Sequence, residues 1–226
     1  DMFSSLVEKD GMGLAAGMGV GKIGEALFLK LDPAFEFNMG PIGFGVHIPL
    51  NLSLEGGEGD VLRKEDWDEP TEFLRILRYF RFGQKRDTVY VRVGELAASV
   101  GHGTIVGRYI NNIDINTYHM GLQADFNTDY GGLETLLSDV GAVSKGFSDT
   151  KLFAGRLYVK PISFIMAPDS PLNIFAVGAS VAVDVNAPNT LSVDEAGNPV
   201  VDEENNFSVA QEKQSLIWGL DVEAEV

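Results

Sequence analysis

Charged side chains of both signs recur at alternate positions of strand-like segments in this 226-residue chain. Arg75, Arg81, Arg92, Arg156 and Lys160 supply cations, and Glu36, Asp125, Asp221 and Glu223 supply anions. Gathered on one face of a sheet, such groups have two uses. They brace an interior by pairing, or they set a field that selects ions at close quarters. His47 and His119 fall at polar positions of the same segments, and His102 sits in Gly101-His102-Gly103-Thr104. No H-E-x-x-H or paired metal spacing occurs, so the histidines read as polar groups and no metal is expected.

Other motifs weigh less. Gly19-Val20-Gly21-Lys22-Ile23-Gly24 fits G-x-G-x-x-G, but that fingerprint needs a buried strand before it and a helix after it. Here glycines alternate from Met12 to Val20 and another strand pattern follows, so no nucleotide cofactor is expected. Acidic residues from Asp194 to Glu204 offer hard oxygens of the kind Ca²⁺ takes, without EF-hand spacing. No Ser-His-Asp or paired-carboxylate arrangement stands out by spacing, and the chain is not read as an enzyme. Residues 101–112, GHGTIVGRYINN, are the least regular stretch. They read as an external loop or as one folded inward to form a constriction, with His102, Arg108 and Tyr109 as its candidate residues.

The elements that must position these groups are strands. From 42 to 54, Ile42, Phe44, Val46, Ile48, Leu50, Leu52 and Leu54 fall on one face, and Gly43, Gly45, His47, Pro49, Asn51 and Ser53 on the other. Period-two alternation marks a strand whose faces meet different surroundings. The code recurs at 27–39, 89–94, 117–126, 153–160, 175–185 and 216–226, and more weakly at 12–20, 72–82 and 131–138. Pro33 inside its run implies a bulge, an edge or a break, and Gly40-Pro41 a tight turn. A short helix before the 76–82 strand fits Asp68-Glu69-Pro70. Short connections at 40–41, 83–87 and 128–130 interleave with longer ones at 55–70, 97–112, 140–149 and 186–213.

Composition sets bounds. The formal charge is −16 and cysteine is absent, which excludes disulfides and thiolate metal sites. Residues 55–70 hold seven acids against two bases, and residues 186–213 six acids against one, a net of −5 for each. That acidity argues strongly against nucleic acid as a partner. No apolar run approaches the roughly 18 residues of a membrane helix, whereas a strand needs only 9–11 residues and hides its lipid face by alternation.

In strand pattern and loop layout the chain resembles bacterial outer-membrane β-barrel (porin-like) proteins over residues 12–226. The resemblance implies an all-β fold: an antiparallel up-and-down meander of about ten strands, forming a transmembrane β-barrel or a segment of a larger one. Residues 1–226 would form one barrel domain, with an N-terminal tail at 1–11. Such barrels end in an aromatic residue, and this chain stops at Ala224-Glu225-Val226, which favours a segment. Lumen-facing candidates are Arg75, Arg81, Arg92, His119, Asp125, Arg156 and Lys160. Lipid-facing candidates are Phe44, Val46, Ile48, Leu50, Val181, Val183 and Trp218. The implied function is passive passage of small hydrophilic solutes or ions across a bacterial outer membrane. Membrane lipid is the expected partner, with a protein partner at the long loops as an addition. The alternatives are a non-conducting outer-membrane anchor or scaffold that binds a partner through its acidic loops, and a soluble β-sandwich or ligand-binding barrel.

Overall fold

The computed structural model describes residues 10–23, 26–54, 61–67, 72–112, 118–141, 151–166, 170, 174–201 and 207–224. The first half supplies strands β1 (Gly11–Ile23), β2 (Ala26–Met39), β3 (Ile42–His47), β4 (Leu50–Ser53), β5 (Leu77–Phe82) and β6 (Val89–Gly94). Two short strands follow, β7 (Ala97–Ala98) and β8 (Tyr109–Ile110). The rest are β9 (Gly121–Thr128), β10 (Gly131–Leu137), β11 (Leu152–Val159), β12 (Phe175–Leu191) and β13 (Val209–Ala224). Among the described residues helix is confined to 3₁₀ turns, including Lys64–Asp66, Glu72–Ile76 and Pro161–Phe164, and no helix is long and apolar enough to cross a membrane.

The main sheet runs β1-β2-β3-β5-β6-β9-β10-β11-β12-β13, with β4 also on β2, while β7 and β8 pair only with each other. The fold is the all-β, up-and-down antiparallel meander that the alternation implies. Among the described residues no ladder joins β1 to β13, so the hydrogen-bonded path is open at both ends.

The chain divides into two compact units. One comprises Asp1–Phe80, Asn112–Tyr118 and Pro188–Lys213; the other comprises Arg81–Asn111, His119–Ala187 and Gln214–Val226.

In the first unit β3 and β4 pair with β2 in a single register, Ala34 opposite His47 and Leu31 opposite Leu50. The expected unbroken 42–54 strand is therefore interrupted at Ile48-Pro49. The cause is proline on both sides: Pro33 and Pro49 lack the N–H that a ladder needs. At the gap Ile48 N–H donates to Pro33 O at 3.1 Å. Gly40 has φ +54° at the first of two turn residues, a conformation glycine adopts without strain in a tight hairpin. One face carries Met12, Leu14, Met18 and Val20 from β1, between 63% and 84% exposed, beside the apolar side of β2. The other face of β1 is Gly13, Ala15, Gly17, Gly19 and Gly21. The glycines of the 19–24 motif thus lie on an extended strand as far as Ile23.

In the second unit the same division holds. Val89, Phe126, Leu133, Phe153, Leu157, Val159, Phe175, Val177 and Val181 share an exposed apolar face. The opposite face is buried and carries the charges. The connection expected at 186–213 is shorter than its sequence implies, because β12 continues to Leu191 and β13 begins at Val209. Both extensions are polar on exposed positions, and so lack the apolar alternation that marks a half-buried strand.

Candidate functional site

The antiparallel register aligns one polar row across the second unit: Tyr90 opposite Asp125, Asp125 opposite Glu134, Glu134 opposite Arg156, and Arg156 opposite Ser180. Four consecutive ladders with no slip place these side chains on one face, because the side-chain period of a strand is two.

Arg156 is the centre of that face, with its side chain 1% exposed. Its Nε and Nη2 donate to the two oxygens of Asp221 at 3.1 and 2.5 Å. Nη2 also donates to Glu223 at 3.1 Å, and Nη1 lies 3.7 Å from Glu134. The guanidinium stacks over Tyr158, 4.9 Å from the ring centre. Bidentate geometry and three carboxylates are what allow a guanidinium to stay charged away from water. Gly178 makes room for it: a Cβ there would lie 2.7 Å from Arg156 Nε.

Residues 95–111 fold over this face. Leu96, Ala98, Val100 and Val106 pack on Leu136, Ala154 and Ala182 of the sheet. The base of the fold-over is fixed by Asn111, which accepts from Leu96 N–H at 2.8 Å and donates to the carbonyls of Gly94 and His119 at 3.0 and 2.7 Å. Gly101 N–H donates to Glu134 Oε2 at 2.5 Å, and His102 Nε2 stands 3.5 Å from Glu223 and 3.9 Å from Asp221. The stretch thus packs on the polar face of the sheet instead of standing away from it.

Beside the fold-over lies a cavity of about 600 Å³. Its walls include Asp125, Asn127, Glu134, Arg156 and Tyr158, and its rim carries Lys85, Arg86, Asp129, Tyr130 and Lys160 from neighbouring turns. Tyr158 Oη donates to Asn127 at 2.7 Å, and Lys85 Nζ donates to Ser99 O at 2.8 Å.

The other sequence candidates are placed as follows. Arg81 and Arg92 reach backbone carbonyls, of Gly83 at 2.5 Å and Glu95 at 3.0 Å. Three polar candidates lie off the strands assigned to them. Arg75 is in the Glu72–Ile76 turn, 3.6 Å from Asp66 and over the Trp67 ring. His119 precedes β9 and pairs with Asp139 at 3.1 Å, and Lys160 follows β11. Arg108 is exposed at φ +53°, its N–H on Ser99 Oγ at 2.9 Å, whereas Tyr109 packs on the Leu96 cluster. Among the apolar candidates, Phe44 lies near Phe35 and Phe37, with centroids 5.9 and 5.4 Å away. Val46, Leu50 and Val183 are half-buried, Val181 and Trp218 are exposed, and Ile48 sits in the break between β3 and β4.

Sequence reasoning missed Glu134, Tyr158 and the packing of Leu96. Glu134 has a legible signal, since its parity in 131–137 is set by the register with Asp125; Leu96 has none, because nothing local tells which sheet face it covers. In the first unit it missed Arg78, which donates to buried Glu36 at 2.7 Å, and Asp66, fully buried on Asn51 and Arg63 at 2.7 and 2.6 Å. That Asp66 is part of the 55–70 acidic loop; residues 55–60 and 68–70 lie outside the described residues, as does most of 140–149. In the second acidic stretch Asp194 accepts from the N–H groups of Ala196 and Asn198 at 2.9 and 2.8 Å. The carboxylate thus closes a turn, and these hydrogen bonds, Asn198 foremost, hold it below the ordinary carboxylate range. Residues 202–206 are outside the description.

No family model, curated protein or solved structure matches this chain.

Proposed function

We propose that the chain is a membrane-embedded β-protein of the outer-membrane barrel type, which passes small hydrophilic solutes or ions along its polar face. The observation that carries this reading is the inversion of burial across the sheet. Arg156, Glu36 and Asp125 are at most 4% exposed, while Leu14, Met18, Leu157 and Trp218 are between 63% and 84% exposed. In water this arrangement forgoes about 1.5–3 kcal/mol for each large apolar side chain left outside. Against hydrocarbon the same face is satisfied. β1, β12 and β13, at 13, 17 and 16 residues, exceed the roughly 9–11 that a crossing strand requires.

The bacterial outer membrane is the compartment this reading gives, with lipid against the apolar face. The 95–111 fold-over is the constriction, and it limits passage to small species. A second reading, the non-conducting anchor, is favoured by the Arg156 cluster, which fills polar space with mutually paired charge. Planar-bilayer conductance separates the two. The chain should give small steps, and replacing residues 99–108 by a Gly-Ser linker should enlarge them several-fold. Silence from both proteins after verified insertion would refute passage and leave the anchor.

A further inference from the structure

The cavity of the second unit contains one group that the rest of the face does not account for. Asp125 is 4% exposed and lines the cavity, yet beyond a weak pull from the Thr135 N–H its carboxylate oxygens have no donor in hydrogen-bonding geometry among the described residues. The other lining acids of the sheet face are satisfied within the protein: Glu134 by Gly101 N–H and Arg156, and Glu223 by Arg156. A buried carboxylate short of donors is costly, and a donor that arrives from outside recovers that cost.

We infer that this cavity binds a small solute carrying one primary ammonium group, which donates to Asp125. The volume, about 600 Å³, falls within the range of small-molecule sites. The lining selects the charge of the occupant. Lys85, Arg86, Arg156 and Lys160 balance Asp125, Asp129, Glu134 and Glu223, so the cavity has no net field to favour a polycation or a polyanion. Only the local deficit at Asp125 favours a cation. Of the lining cations, Arg156 is committed to Asp221, and Lys85, which donates to the Ser99 carbonyl, acts on Asp125 through space without a hydrogen bond to it. Lys160 makes no ion pair among the described residues and stands on the rim. A carboxylate on the same solute is therefore tolerated there, which admits zwitterions such as ω-amino acids. The site does not depend on conduction, since it is built within one unit and is read in detergent solution.

The test is titration of the detergent-solubilised chain with butylammonium, 4-aminobutanoate and butanoate, followed by calorimetry or saturation-transfer NMR. The two ammonium probes should bind saturably and butanoate should not. Asp125→Asn, which keeps shape and removes the charge, should weaken both by about tenfold or more, the scale of a lost charge-assisted hydrogen bond. That variant relieves an unpaired buried charge, so it should unfold at no lower urea concentration than the parent, and this is measured alongside. Lys160→Ala should weaken 4-aminobutanoate and leave butylammonium unchanged. Absence of saturable binding by both ammonium probes, equal binding of butanoate, or full binding by Asp125→Asn would overturn the proposal.

Discussion

Replacing Arg156 by methionine removes the guanidinium and leaves its volume largely filled, so the change reports on charge rather than on a cavity. Three carboxylates then face one another. Asp221, Glu223 and Glu134 have side chains 17%, 20% and 13% exposed, against 1% for Arg156. Removing one partner of a fully buried ion pair typically costs about 3–5 kcal/mol. Water reaches these three acids in part, which lowers the expected loss to about 2–3 kcal/mol. Arg156→Lys retains a cation but not the fork that holds both oxygens of Asp221, and should lose about 1–2 kcal/mol. Urea unfolding in a fixed detergent, followed by the fluorescence of Trp218 three residues from Asp221, gives the values. Adding Asp221→Asn to Arg156→Met should recover part of the loss, because one uncompensated charge is removed with it. A loss below about 0.5 kcal/mol for Arg156→Met would put the cluster in the class of solvated surface pairs and refute the argument.

Leu96, fully buried, should cost about 3 kcal/mol when cut to alanine, and limited proteolysis within 99–108 should accelerate as the fold-over loosens. Gly178→Ala places a Cβ 2.7 Å from Arg156 Nε and 2.8 Å from Asp221 Oδ1, so it should lower the urea midpoint, and an unchanged midpoint would contradict the role of Gly178 in making room for the guanidinium. Adjacent residues of β1 test the two faces. Met18→Lys on the apolar face should cost about 2–4 kcal/mol of membrane stability, whereas Gly17→Lys, opposite Asp32, should be mild; equal effects would contradict the assignment of faces. Finally, the depressed Asp194 contributes to its turn above the ordinary carboxylate range, and the contribution is lost as pH falls through its lowered value. Hydrogen exchange at Asn198 N–H should speed up over that acid window, and Asp194→Ala should show the fast rate at all pH values.

Much of the sheet was legible because period two is a physical signature that needs no tertiary information. The runs at 27–39, 89–94 and 175–185 all fall within strands, and the parity that grouped Asp125 and Arg156 is the parity the register enforces. What stayed hidden depended on distant partners. The chain reads identically on either side of Ile48, but the break there needs Pro33 and Pro49 brought side by side by the β2 register. Arg75 fits the spacing of its strand neighbours, yet a 3₁₀ turn and buried Asp66 claim it. The fold-over of 95–111 buries small apolar residues against a face otherwise marked by charge, and neither Leu96 nor Ala154 announces that locally.

Quenching of Trp218 by lipids brominated along their acyl chains tests the central claim most directly. The side chain is 72% exposed on β13, beside Leu216, Leu220 and Val222 on the same face. Trp67→Phe leaves it as the single tryptophan. If the apolar face meets hydrocarbon, the reconstituted protein should lose most of its emission in brominated bilayers relative to ordinary ones. Unchanged emission, with the chain monomeric in buffer without detergent, would contradict the membrane account.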